Sequence, residues 1–410
     1  MPRISPKILT WARETAGLTP EQAVQKLDIK DARGVPAVQR LAAYESGESI
    51  TRPLLVKMAK QYRRSLVTFY MQAPPRRGDR GEDFRTLPVG QHRTADALVD
   101  ALVRDIRARQ SMVKSVLEED EDTRDLPFVG SIKLSSGVGN ALASIRRSIR
   151  IDIAEYRAQA SPESAFALLR SAVESVGIFV LLVGNLGSHH TSIDVETFRG
   201  FALSDRVAPF VVINDQDAKA AWSFTLLHEV THLWLGTTGI SGIFGANQIE
   251  RFCDDVASSY LLSETELAAL DVSSYTDLQA AIGAIGDFAE ERHLSRSMVA
   301  YRLLRNGKIS DQVWRNISDA LREEWFRTRE ARRKRERESE GGPDYYVVRR
   351  HRLGTALLRF VSRTLSEGAL TPTKAAKILG VKPRSVEPLL RGASLSTTGP
   401  GLGAPRAIPS

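Results

Sequence analysis

Phe224-Thr-Leu-Leu-His-Glu-Val-Thr-His-Leu-Trp-Leu235 carries the pattern His-Glu-x-x-His. Residues four apart share one face of a helix, so His228 and His232 can turn ring nitrogens toward a single tetrahedral ion, for which zinc is the expected choice. Glu229 falls one position further on, beside the ion, where a carboxylate can take a proton from water as general base. Zinc lowers the pKa of such water toward neutrality, which yields a nucleophile able to attack a peptide carbonyl. Leu226, Leu227, Val230 and Leu233 supply the apolar faces that a buried catalytic helix needs.

A catalytic zinc takes three protein donors and keeps one position open. The next stretch able to lend the third is Asn247-Gln-Ile-Glu-Arg-Phe-Cys-Asp-Asp-Val-Ala-Ser-Ser-Tyr-Leu-Leu262, in which Ile249, Phe252, Val256, Ala257 and Tyr260 recur at helical spacing. Glu250 is the favoured ligand. Asp254, one turn later on the same face, would then orient a ligand histidine, and its own service as the ligand stays open. Two histidines on the surface of an ordinary helix are the bland alternative. His189-His190, on a Gly-rich loop, form a looser pair, read as solvated or substrate-side.

The single cysteine, Cys253, excludes an internal disulfide and agrees with a reducing compartment. No apolar run is long enough to span a bilayer, and the first residues lack the apolar core of a signal peptide, so the cytoplasm is expected and a membrane partner is not. Charge is unevenly placed. Residues 1–80 carry 15 Lys/Arg against 7 Asp/Glu, residues 325–410 carry 18 against 7, and the stretch between has a net charge of −11. Basic ends can engage phosphate backbones, whereas an acidic body would not.

A chain of 410 residues exceeds one ordinary core. Residues 1–73 are expected to form a helical bundle: Thr19-Pro-Glu-Gln22 is a helix start with Pro at its first position, and a third helix is expected from Val35 or Pro36 to Tyr44. Read as a helix-turn-helix, that third helix would offer Gln39 and Arg40 to base edges, with Val38, Leu41 and Ala42 packed inward. Residues 74–90 are a linker by composition. Residues 91–322 should hold the metal: a long polar helix over 90–125 with Leu98, Leu102, Ile106 and Met112 as its stripe, a helix over 161–176, strands at Val176–Val183, Ile193–Leu203 and Pro209–Ile213, then helices to about residue 330. Residues 323–343 are a charged linker or an exposed helix end. Residues 344–392 form a last helical unit whose helix–Gly-turn–helix punctuation places Lys382 and Arg384 at the start of a second helix, to meet DNA or a protein. Residues 393–410, rich in Gly, Ser, Thr and Pro, are expected to be disordered.

Several stretches together resemble the ImmA/IrrE-type zinc metallopeptidases that carry an N-terminal Xre-type helix-turn-helix. They are Ile8–Arg13, Leu41–Gly47, Asp83–Thr86, Arg199-Gly-Phe201, Phe210–Asn214, the His-Glu-x-x-His helix, Ile249–Ala257 and Ser295–Leu304. The likeness covers residues 1–305. It implies a multidomain, mainly α fold: the N-terminal helix-turn-helix bundle, a central α+β zincin-like domain with a small sheet, and the C-terminal helix-turn-helix-like unit. It also implies a DNA-binding regulatory zinc endopeptidase that cleaves or inactivates a repressor- or toxin-like partner, with Glu250 as third ligand. Ser263 departs from a proline common in the family, and Asp254 stands where Asn is common, which puts its orienting role in doubt. The competing reading is a non-catalytic DNA-binding regulator or antitoxin that uses the zincin fold only to hold a partner. A homodimer stays open, and a purely structural zinc would predict unfolding on chelation.

Overall fold

The computed structural model describes residues 4–32, 34–74, 93–120, 123–187, 191–241, 248–272, 277–338 and 344–391. The expected 74–90 linker, apart from residue 74, and the 393–410 tail lie outside the described residues, as do Asp83–Thr86 and His189-His190. The described residues are mainly helical with one small sheet. It divides into two compact units, Met1–Arg107 with Asn185–Thr197, and Ala108–Gly184 with Phe198–Ser410. No described helix is long and apolar enough to cross a membrane.

The N-terminal bundle comprises α1 (Pro6–Glu14), α2 (Pro20–Leu27), α3 (Ala37–Glu45) and α4 (Arg52–Gln61), closed by a 3-10 turn at Leu66–Tyr70. Thr19 caps α2 as the sequence requires, in a reciprocal box with Gln22. Ile8, Leu9, Ala12, Leu27, Leu41, Leu55 and Phe69 share its core. Arg13, buried, grips Glu45 through two bonds of 2.7 and 3.0 Å and donates to the Leu18 carbonyl, which ties α1 to α3. Ala37 and Leu41 are the buried residues of α3, four apart on one face, whereas Val38 is half-buried and Ala42, expected to pack inward, is exposed.

The helix α5 (Arg93–Glu118) buries Val99, Leu102, Ile106, Val113 and Val116, so its stripe passes beside Met112 rather than through it. In the second unit, Lys114 of this helix donates to Asp205 Oδ2 at 2.7 Å, while Asp205 Oδ1 accepts the amides of Val207 and Ala208. Burial pushes the Asp205 carboxyl up, but Lys114 and the two amides outweigh it and hold the group below its ordinary value. A carboxylate with a depressed folded pKa stabilises above its unfolded pKa of about 3.9, and that stabilisation disappears as pH falls through the folded value. Asp205→Asn is therefore expected to cost about 1 kcal/mol at pH 7. In urea melts the gap from wild type should close as pH falls through the folded value, which lies below the unfolded one. A gap that stays constant through that fall counts against the ion pair as its source.

Next come α6 (Gly137–Ile149), α7 (Ile153–Arg157) and α8 (Pro162–Ser175), the last started by a Ser161–Ser164 box. The sheet has the order β1 (Phe179–Leu182), β3 (Phe210–Ile213), β2 (Gly200–Leu203), β4 (Gly239–Ser241). β1 runs parallel to β3, and β2 is antiparallel to both β3 and β4. The expected strand from Ile193 shrinks to Gly200–Leu203: Ile193, Val195 and Phe198 are buried but lie outside the strand. Against the sheet lies α9 (Lys219–Leu235), apolar and buried nearly all round, as a central helix must be. Its last carbonyls are met by the amides of Gly130 and Ile132, and Gly236 ends it in the left-handed conformation. Following it are α10 (Gln248–Leu261), α11 (Glu264–Ala268), α12 (Leu278–Glu290), α13 (Arg296–Arg305) and α14 (Asp311–Glu338). Ser263 caps α11 with Glu266 as its partner. From residue 323 to 338 the charged run continues α14, and the rest of the expected 323–343 linker lies outside the described residues.

The chain closes with α15 (Tyr345–Leu353), α16 (Thr355–Ser366), α17 (Pro372–Leu379) and α18 (Val386–Arg391). These helices belong to the second unit and are joined to β1 and α8 through a buried polar node. Arg170 of α8 pairs with Glu174 at 3.1 Å and donates to the carbonyls of Val180, His351 and Arg352. Glu174 Oε2 accepts the amides of Thr355 and Ala356, which start α16. Gly354, at φ 77°, sits so tightly on the pair that a Cβ there would collide with Glu174 Oε1 and Arg170 Nη2.

Candidate metal centre

Two helices and one turn build the site. α9 presents His228, Glu229 and His232, all buried, and α10 packs beside it with Glu250 and Asp254 one turn apart. The outer nitrogen of each ring is engaged. His228 Nδ1–H donates to Asp254 Oδ1 at 2.9 Å. His232 Nδ1–H donates to Thr237 Oγ1 at 3.0 Å, while that hydroxyl donates to the His232 carbonyl at 3.3 Å. Both Nε2 lone pairs are thereby turned into the same space, 3.2 Å apart. Glu250 faces them with Oε2 at 3.2 Å from His228 and Oε1 at 3.4 Å from His232.

Facing lone pairs beside a carboxylate repel unless a proton or a cation lies between them. Neighbouring donors on a tetrahedral ion with bonds of about 2.0–2.1 Å stand about 3.3–3.4 Å apart. The two ring nitrogens are close to that edge, and Glu250 offers one oxygen to each at similar range, so the residues fit a small divalent ion. The electrostatics of the site pull toward positive charge in the same way. Burial alone would lower the His228 imidazole, but Asp254 and Glu250 outweigh it and raise the pKa well above its ordinary value. Burial would raise Glu250, yet the two rings hold its carboxyl well below the usual range. Cys253 also comes near: His228, His232 and Cys253 each offer a ligand atom within 4.8 Å of the others. Burial first, and then the neighbouring carboxylates, push its thiol well up.

Glu229 is fully buried and lies against β2, where Gly200 leaves room for it. A Cβ at Gly200 would stand 2.7 Å from Thr225 Cγ2 and 2.8 Å from Glu229 Oε1. Gly200→Ala is expected to cost about 1–3 kcal/mol through overpacking. It should also displace the Glu229 carboxylate, so activity should fall while bound metal, measured by plasma emission, is kept. Unchanged stability and turnover would show that the contact is not tight.

His228, Glu229, His232, Glu250 and Asp254 are thus brought together. The residues singled out for DNA belong to other elements. Gln39 is exposed on α3, whereas the Arg40 guanidinium donates to the Lys30 carbonyl at 2.5 Å and reaches the Tyr44 hydroxyl. Lys382 and Arg384 are exposed in and just before a 3-10 turn that precedes α18. Sequence patterns do not point to Thr237 or Gly200 as parts of the site. Thr237 follows the helix and belongs to no motif, while Gly200 lies in the Arg199-Gly-Phe201 stretch, to which the sequence assigns no role at the site.

Two imidazoles four apart, an acid from the next helix and a carboxylate buried beside the rings define the His-Glu-x-x-His class of metallohydrolase sites. Residues 184–304 match the peptidase family described as the IrrE N-terminal-like domain, a span that contains α9, α10 and all five of these side chains. No curated protein and no solved structure matches the chain.

Proposed function

We propose that this chain is a zinc-dependent endopeptidase that cleaves or inactivates a repressor- or toxin-like protein, with its N-terminal bundle holding DNA. The observation that carries the reading is the convergence of His228 Nε2, His232 Nε2 and the Glu250 carboxylate at tetrahedral spacing beside a buried Glu229. Zinc held by these three groups would supply Lewis-acid polarisation of a peptide carbonyl and a nucleophile near neutral pH. The chain's own groups do the rest. Asp254 and Thr237 fix the tautomer and the angle of each ring. Glu229 accepts a proton on a carboxylate oxygen as the carbonyl is attacked and returns it to the leaving amine. Gly200 keeps that carboxylate close to the rings. A module that only bound a partner would have no need of an acid at position 229.

DNA contact is supported by the basic balance of residues 1–80 and by exposed Gln39 on α3. Arg40, bonded to Lys30, serves the α2–α3 connection in the free chain. The test is incubation of the purified chain with repressors and toxins encoded beside it, followed by mass spectrometry. Chelator-sensitive cleavage at a defined bond is expected. Intact partners in the presence of a zinc-loaded chain would overturn the peptidase reading.

A further inference from the structure

We infer that α17 and the turn leading into α18 form a second nucleic-acid interface, one that takes the phosphate backbone of duplex DNA. It lies apart from the metal centre and does not depend on catalysis, although it extends the DNA-anchored reading above to the other end of the chain. Residues 344–391 carry ten Lys/Arg against three Asp/Glu. Several of these cations already have partners: Arg349 on the carbonyls of Leu379 and Gly380, Arg352 on Asp215, and Arg391 on Glu387 at the surface. Lys374, Lys377, Lys382 and Arg384 are different. All four are exposed, and none forms an ion pair among the described residues.

Their placement is set by a rigid frame. Thr371 caps α17 through the Lys374 amide at 3.3 Å, and Ala375, Ala376, Ile378 and Leu379 bury the opposite face. Lys374 and Lys377, three apart, therefore share the outward face. Gly380 ends the helix at φ 62°, and Arg349 donates to the Leu379 and Gly380 carbonyls at 2.8 and 2.9 Å. Lys382 and Arg384 follow at once, before Val386 and Leu389 return to the core. Four exposed cations, two on a helix and two in the turn that follows its glycine, are held in place by the fold and can each meet a backbone phosphate. A flexible basic tail would take any polyanion with equal ease.

The frame is also tied to the catalytic unit. Arg352 meets Asp215 at 2.6 Å, in the turn just before α9, and the Arg170–Glu174 node fixes the start of α16 to β1. DNA held here would stand at a fixed place relative to the metal helix.

The test uses the full chain with a fluorescent duplex of about 30 base pairs, titrated by anisotropy across a salt series. Replacing Lys374, Lys377, Lys382 and Arg384 together by Gln should weaken binding at least tenfold at about 150 mM salt. The log–log salt slope should become shallower by about 3–4, near 0.9 for each phosphate that the variant no longer neutralises. The pair Lys374→Gln and Lys377→Gln should give about half that change, and serves if the fourfold variant fails to fold. Zinc content, measured on the same samples, should not move, which separates this interface from the fate of the peptidase reading. The proposal is overturned by an unchanged slope, which would leave all DNA contact to the N-terminal bundle, or by absence of duplex binding in the wild type. Binding of poly-glutamate in place of DNA would likewise overturn it and mark the surface as a protein dock.

Discussion

Glu229→Ala is expected to retain its metal and lose peptide cleavage by a factor of about 10²–10⁴, the usual contribution of a positioned general base. The reason is division of labour along one helix. His228 and His232 point their Nε2 atoms at one place, while Glu229, a single position further on, lies against Gly200 rather than among the donors. Truncating it removes a proton acceptor and leaves the cage intact. Two readouts separate the outcomes: metal per chain by plasma emission, and cleavage rate on the identified partner. Full activity in the variant would defeat the enzyme reading. Loss of metal together with activity would mean that Glu229 is a ligand and that the roles given to Glu250 must be redrawn.

Glu174→Ala should lower stability by about 3–5 kcal/mol, the cost of leaving a buried charge without its partner. Arg170 and Glu174 are both almost fully buried, and the node they form joins α8, β1 and α16. Burial pushes the Glu174 carboxyl up against the pull of Arg170 and two amides. Replacing both residues by apolar ones of similar volume should recover part of the loss, since the unpaired charge disappears. Recovery should stay incomplete, because the carbonyls of Val180, His351 and Arg352 would lose their donor. Urea melts give the stability. Trypsin gives the location, since Arg332–Arg337 precede α15 and early release of a C-terminal fragment is expected. A loss under about 1 kcal/mol would show that the pair is not the clasp of the C-terminal helices.

The candidate metal centre was legible because it is written at helical period. His228 and His232 are four apart, and Glu250 and Asp254 repeat that spacing on the next helix, so one rule places four side chains on two faces. The capping residues Thr19 and Ser161 were legible for the same local reason. What escaped depends on contacts distant in sequence. Thr237 holds His232 only because Gly236 reverses the chain after α9. Arg170 and Glu174 look like an ordinary surface pair at i and i+4, and become buried because Gly354 lets α15 and α16 close over them. The strand expected from Ile193 failed because its apolar residues are buried without a strand to pair with, so periodicity showed burial and not hydrogen bonding. Residue type alone makes Arg40 a candidate for contact with bases, whereas a carbonyl ten residues earlier claims its guanidinium.

The most direct measurement of the central claim is zinc affinity of the wild type beside Glu250→Ala and His232→Ala, by competition with a chromophoric chelator. One ion per wild-type chain is expected, with binding weaker by about 100-fold or more in both variants and the fold, by circular dichroism, preserved. A wild type that takes up no divalent ion, or a Glu250→Ala variant that binds zinc as tightly as the wild type, would contradict the account.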